Sequence, residues 1–547
     1  MLSNGVCQTL LLTQVVIVRP IYINTEWNFK RNFCSGREMT PVRDLYHLIR
    51  SLSMSEKRYI KLMLKRRIGK EGKNNLRLFD ELFAQKEFNE PAIRNQCKGQ
   101  IKNFSSTKSQ LYSFILTTLR LFHSRSSGDN FLLERLQEIE ILHSKGLCAE
   151  CDRLIKKSIV SAAHYANPLA QAMLLNWEAR IRGERKYEDI TSRQIEELHK
   201  NEIQVLEQYE TVIHYRTITD RFFCLQFRDM FVRSGKLKYE AYPGPAFSAL
   251  KKNNLSIDAR IKMYFAIVGY YLGIGDHKNS FKYNNLLIAM IESLPYHTSE
   301  MQRHYINALF NLCVVSVSQN KFDQANQAVK KIQGLKGLSD NNKLTVTGFF
   351  CFLQGNRLVQ LGSFKKAAKN ADELAEYIEK NKYRLDNAFS LTLHYLIACS
   401  YFGNNQFSKA IEWSNKILNQ IKTDRRVDLF LSARVLIILA HIEKGNYDVA
   451  VYLGKSFNRV LFKNSKLNRI KNALVEFIRK RLYPASLNRT ISEREIQKAY
   501  IEFKYAIEKL IKDPFEKNLL NYFDILSWVQ GKIENKTYGE VIRRKSK

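Results

Sequence analysis

The chain has 547 residues, 45% of them hydrophobic, so a lack of material for a core is excluded. With 9 Pro, 23 Gly and almost no alternating apolar–polar stretches, β architectures are excluded and an almost wholly helical protein is expected. The formal net charge of +34 points towards acidic partners, namely nucleic acid, an anionic membrane surface or an acidic protein, although the Lys and Arg are dispersed over helix faces rather than gathered in blocks.

Residues 1–38 differ from the rest. The apolar run at 10–18 is too short to span a membrane, and no positive charge precedes it as in a signal peptide. Met39 opens a clean helical pattern, so 1–38 reads as a non-native or disordered extension, with a cleaved targeting segment as the alternative. Residues 39–130 read as a basic helical module. Ser53 and Glu56 form a capping box ahead of a helix that gathers Tyr59, Ile60, Met63 and Leu64 on one face. Lys57, Arg58, Lys61, Lys65 and Arg66 complete that helix as candidate phosphate contacts. A loop with Gly69 and Gly72 is expected next, then helices at LRLFDELFA, near 91–102 and over 109–123. Between Ser51 and Arg125 there are 16 Lys or Arg against 6 Asp or Glu.

The linker candidate is 123–130. Degenerate helical repeats are expected over 131–259, with a long helix from Ser192 and a Pro-rich joint at 241–248. Here Cys148 and Cys151 make an isolated CxxC. Zinc would need further ligands, so the pair reads as packing residues just after a break at Gly146. The nine Cys are odd in number and scattered, which excludes a disulfide framework and fits a reducing cytoplasm.

Residues 260–460 carry an internal repeat. A small or polar break recurs at Gly275, Asn320, Gly362, Asn405 and Gly445, at steps of 45, 42, 43 and 40 residues. Two positions later stands a ring in His277, Phe322, Phe364, Phe407 and Tyr447. A small residue follows three positions on (Ser280, Ala325, Ala367, Ala410, Ala450). Four further on come Asn284, Val329, Ala371, Ser414 and Gly454. This spacing fits two antiparallel helices joined by a tight turn, in which Gly or Asn takes positive φ and the Ala lets the backbones approach. The pattern resembles the tetratricopeptide repeat, with longer helices or loops than its usual period of about 34 residues. The position where that family prefers Trp holds Tyr264, Leu309, Cys351, His394 and Arg434, and its usual Pro between units is missing.

The resemblance implies an all-α, right-handed α-solenoid like that of bacterial tetratricopeptide-repeat proteins, with partners bound on the concave face of the first helix of each unit. Those positions are Asn307, Phe310, Asn311, Phe352, Asn356, Gln360, Thr392, Tyr395 and Cys399. The family's clamp for a terminal carboxylate uses Lys and Asn; here Phe310, Val314, Phe352 and Tyr395 stand in those places. An extended peptide or an amphipathic helix is the expected ligand instead.

Residues 461–547 are expected to cap the solenoid, with Ser492 and Glu495 as a second capping box and the tail RRKSK frayed. Catalytic signatures are isolated. Ser105 and Lys108 make S-x-x-K and residues 339–341 make S-D-N, but the third motif of penicillin-binding enzymes is missing. No catalytic residue, metal site or cofactor is therefore expected. The sequence reads as a cytoplasmic, non-enzymatic protein–protein interaction scaffold with a peptide or protein partner and no membrane. The alternative is a nucleic-acid-binding regulator, because a basic helical module beside a solenoid is similar to bacterial regulators built from a helix-turn-helix and repeats.

Overall fold

The computed structural model describes residues 42–546 except 68, 125–126, 187–189, 225–254, 275, 295–300, 320, 421–425, 463–468, 480–492, 514–515, 517–519 and 521. The segment before Met39, Met39 itself, the joint at 241–248, Gly275, Asn320 and Ser492 lie outside the described residues, as does the side chain of Phe322. The described residues form twenty-three helices and no strand, and successive helices pack neighbour against neighbour, consistent with a helical repeat solenoid. The described residues fall into two compact units, one over 42–210 with Asn381–Arg384, the other over 211–380 with 385–546.

In the first unit, α1 (Val42–Ser51), α2 (Met54–Arg66), α3 (Lys70–Ala84), α4 (Glu90–Cys97) and α5 (Phe104–His123) enclose a core that includes Leu45, Ile49, Ile60, Leu64, Phe79, Ile93 and Ile115. The capping box of α2 is formed: Glu56 N–H donates to Ser53 Oγ at 3.3 Å, and Ser53 N–H donates to Glu56 Oε2 at 2.6 Å. Gly72, expected in a loop, lies inside α3. A Cβ there would fall 2.5 Å from the Arg67 carbonyl oxygen, so glycine lets α3 start directly against the end of α2. A second core, with Leu132, Ile139, Cys151, Ile155, Leu174 and Ile181, lies among α6 (Gly128–Ser144), α7 (Cys148–His164) and α8 (Pro168–Glu184). Gly146 turns the chain between α6 and α7 with φ of 74°. Cys148 opens α7, and the buried Cys151 thiol donates to the Ile139 carbonyl at 3.5 Å. The unit boundary falls within α9 (Ser192–Cys224).

The second unit contains five successive helix pairs. They are α10 (Ile257–Ile274) with α11 (His277–Glu292), and α12 (Gln302–Ser318) with α13 (Phe322–Gln333). Next come α14 (Asp340–Gln360) with α15 (Phe364–Asn381), α16 (Asn387–Gly403) with α17 (Phe407–Gln420), and α18 (Val427–Glu443) with α19 (Tyr447–Phe462). The described breaks Gly362, Asn405 and Gly445 fall between the helices of a pair, and the ring residues His277, Phe364, Phe407 and Tyr447 open the second helix, as residue 322 does. Gly362, Asn405 and Gly445 have φ of 64°, 59° and 73°, the left-handed backbone that Gly and Asn tolerate best. Ala367, Ala410 and Ala450 are fully buried, where any larger side chain would push the paired helices apart.

Four helices follow: α20 (Arg469–Phe477), α21 (Glu493–Leu510), α22 (Ile525–Glu534) and α23 (Tyr538–Ser546). The expected fraying of RRKSK is corrected, because Arg543, Arg544, Lys545 and Ser546 belong to α23. Val541 and Ile542 anchor that helix by burial.

Candidate partner-binding face

The residues expected to line the partner face come from α12, α14 and α16. Helical spacing brings Asn307, Phe310 and Asn311 together on α12, Phe352, Asn356 and Gln360 on α14, and Thr392, Tyr395 and Cys399 on α16. They do not line an open groove. Phe310 has no exposed surface, and only Gln360 keeps partial exposure; the others are buried. Phe310 stacks on Phe349 with ring centroids 3.8 Å apart, and Phe349 meets Phe389 edge-on at 5.4 Å. This ladder ties the first helices of three successive pairs together.

The amides are buried beside it. Asn307 Nδ2, both polar side-chain atoms of Asn311, Asn356 Nδ2 and Gln360 Nε2 make no hydrogen bond with the described residues. Between α14 and α16, a cavity of about 10 Å³, measured as room for the centre of a water-sized sphere, is lined by Phe352, Asn356, Thr392, Tyr395 and Cys399 among others. That is space for about one water. Burial pushes the Cys399 thiol up to about 12 and the Tyr395 hydroxyl well above its usual range, so both stay protonated at neutral pH.

At the α16 side of this face Tyr395 meets the chain's own C-terminal segment. Tyr395 Oη donates to the Tyr522 carbonyl at 3.1 Å. Tyr522 Oη in turn donates to Asp428 Oδ2 at 3.1 Å. Asp428, fully buried, is gripped by Arg426 through Nε–Oδ1 at 2.9 Å and Nη2–Oδ2 at 2.6 Å. The same guanidinium donates to Thr392 Oγ1 at 3.4 Å and to the Ala388 carbonyl at 3.3 Å. Arg426 holds φ of 50° and ψ of 50° as the cap of α18, a left-handed conformation that costs a non-glycine residue about 1–2 kcal/mol. Burial pulls its pKa down, but the Asp428 carboxylate outweighs this and holds it above the usual arginine value.

The contact continues along α22 and α23. Phe523 meets Phe402 edge-on at 5.0 Å and stacks on Tyr538 at 4.9 Å. Glu443 at the end of α18 accepts from Trp528 Nε1 at 2.6 Å and from Lys532 Nζ at 2.7 Å. Tyr538 lies 5.5 Å from the Phe364 ring. Arg543 Nη2 donates to the Gly362 carbonyl at 3.2 Å. Glycine makes this approach feasible. A Cβ on Gly362 would come within 2.6 Å of Arg543 N, one on Gly403 would overlap the Phe364 ring, and one on Gly539 would press on that ring at 3.0 Å. The equivalent turn glycine of the last pair, Gly445, has open space instead. Thus α22 reaches the last pair at Glu443, while α23 lies along the two pairs before it.

Arg426, Asp428, Glu443, Tyr522 and Trp528 were not singled out from sequence. A signal was present, since α16 and α18 are apolar on every side, and such helices are buried all round.

The basic candidates on α2 divide. Lys57 Nζ sits 4.7 Å from the centre of the Phe83 ring; burial, then Arg50, lowers its pKa. Lys61 pairs with Asp80 at 2.6 Å and also lies over Phe83. Arg58, Lys65 and Arg66 are exposed. Elsewhere, Ser339 of the S-D-N triplet caps α14 by accepting from Asn342 N–H at 3.1 Å. Among the described residues no three His, Cys, Asp or Glu converge as a metal site, and no helix is long and apolar enough to cross a membrane.

Scanned against protein-family models the chain matches none, and a search of curated proteins likewise finds no match.

Proposed function

We propose that this protein is a non-enzymatic, cytoplasmic interaction scaffold, a right-handed solenoid of tetratricopeptide-like hairpins that binds a peptide or short helix of a protein partner. The observation that carries this reading is the docking of Tyr522–Ser546 on α14, α16 and α18. A short lead followed by two short helices is the kind of ligand that such a face takes. Its aromatic anchors and few directed polar groups have the make-up of a binding hot spot. The buried amides of α12 and α14 offer further donors and acceptors behind the aromatic ladder.

The test is to pan a displayed peptide library on the full chain and on the variant Trp528→Ala with Tyr538→Ala. Enrichment of peptides with aromatic anchors is expected. Failure of both proteins to enrich any peptide above the empty support would refute the scaffold reading.

A second reading rests on Arg58, Lys65 and Arg66, three exposed cations within three turns of α2. In it, the helix contacts the phosphates of nucleic acid. Three neutralised phosphates give a slope of about −2.7 in log affinity against log salt, or roughly a 40-fold loss between about 50 and 200 mM. Titration of labelled DNA and RNA over that range tests it, and a flat response excludes it.

A further inference from the structure

The C-terminal segment that meets Tyr395, Asp428 and Glu443 has the construction of a bound ligand. Its helices α22 and α23 have 10 and 9 residues, too few to persist alone in water, so they owe their structure to what they lie on. Asp524 caps α22, accepting from Ser527 N–H at 2.9 Å. The face reads the segment at four points. The Tyr395 hydroxyl takes a main-chain carbonyl, and Asp428 takes a phenol hydroxyl. Glu443 takes an indole N–H, and the Gly362 carbonyl takes a guanidinium. Phe402 and Phe364 supply the apolar floor between these points. One of the four contacts is to backbone, and the other three need only a phenol, an indole and a cation at the right spacing. Another chain with those groups would satisfy them equally.

We propose that α16, α18 and the turn from α14 into α15 form an exchangeable site. It accepts a partner segment of the same chemistry: an aromatic pair, an acidic helix cap directly after it, and an indole four residues beyond the cap. Tyr522–Ser546 is the occupant that the partner displaces. The proposal rests on the scaffold reading and names both its ligand class and its regulation. Tethering places the resident segment at an effective concentration on the order of millimolar, so a partner sees only the fraction of molecules whose segment has left.

The experiment uses the full chain and a fluorescein-labelled synthetic peptide of residues 520–546, read by fluorescence anisotropy. The full-length variant Trp528→Ala with Tyr538→Ala is expected to bind this peptide at least tenfold more tightly than the wild type. The same peptide carrying Trp528→Ala is expected not to bind. A folded variant that binds no better than the wild type overturns the proposal. Hydrogen exchange of the wild type supplies a second measurement that does not depend on the variant folding. Amides of α22 and α23 are expected to exchange at least a hundredfold faster than those of α16 and α18. Equal protection of all four helices would show that the segment leaves only when the unit unfolds, and would overturn the proposal. Library peptides that bind without competing with the 520–546 peptide would sink this proposal alone. Absence of any binder from both proteins would sink the scaffold reading.

Discussion

Replacement of Asp428 by Ala tests whether the Arg426–Asp428–Tyr522 network holds the C-terminal segment in register. Asp428 is fully buried and accepts from two guanidinium nitrogens and one phenol. Its removal takes the adjacent carboxylate from the buried Arg426 guanidinium, and breaking a buried pair from one side costs about 3–5 kcal/mol. Tyr522→Phe removes a single hydrogen bond to a charged acceptor and is expected to cost about 1.5–3 kcal/mol. The assay is urea unfolding followed by the fluorescence of Trp528, which lies in the affected segment. Once Asp428 is gone the hydrogen bond between the two side chains is absent from both members of the comparison, so Tyr522→Phe should then cost less than in the wild type, giving a coupling of roughly 1–2.5 kcal/mol. The pair Arg426→Met with Asp428→Leu should recover most of the loss, because an apolar pair of similar volume avoids the desolvation of two charges. Additive costs in the cycle, or a loss below about 1 kcal/mol for Asp428→Ala, would refute the reasoning.

Three further outcomes are expected. Burial raises the Glu56 pKa, but the Ser53 N–H and His123 outweigh it and leave the folded-state value below the usual carboxylate one. The stability it contributes is therefore complete above the ordinary carboxylate range and is lost as pH falls through the depressed value, and urea midpoints of Glu56→Gln should show a shallower acid dependence than wild type. Gly362→Ala should be more destabilising than Gly445→Ala by about 1–3 kcal/mol, since both strain a positive-φ position but only the first also overpacks against Arg543; equal melting temperatures would contradict this. Burial pushes the Cys313 and Cys399 thiols up to about 12, so a thiol reagent at mildly alkaline pH should label them only on unfolding, as mass spectrometry of the native and denatured chain would reveal.

Much of the helical framework is legible in the sequence alone. Breaks, ring residues and small residues recur at spacings that short-range geometry dictates. A positive-φ turn favours Gly or Asn, a close helix crossing needs Ala, and a helix start needs a cap such as Ser53 with Glu56. Each of these preferences acts within a few residues of its cause, so a linear reading finds it. The state of the candidate face was not legible in the same way. Asn307, Phe310, Phe352, Asn356 and Tyr395 stand where the repeat pattern puts a ligand surface, yet they are buried. Phe310 is covered by Phe349 of the next pair, and Tyr395 by a segment from the other end of the chain. Tyr395 meets Tyr522 across 127 residues, and Gly362 meets Arg543 across 181. Periodicity carries no information at that range. Gly362 and Gly445 read alike as turn glycines, and only the approach of α23 separates them. Local stereochemistry thus determined where the helices start and turn, while the tertiary structure decided which of their faces remain open, because burial is a property of the whole contact set.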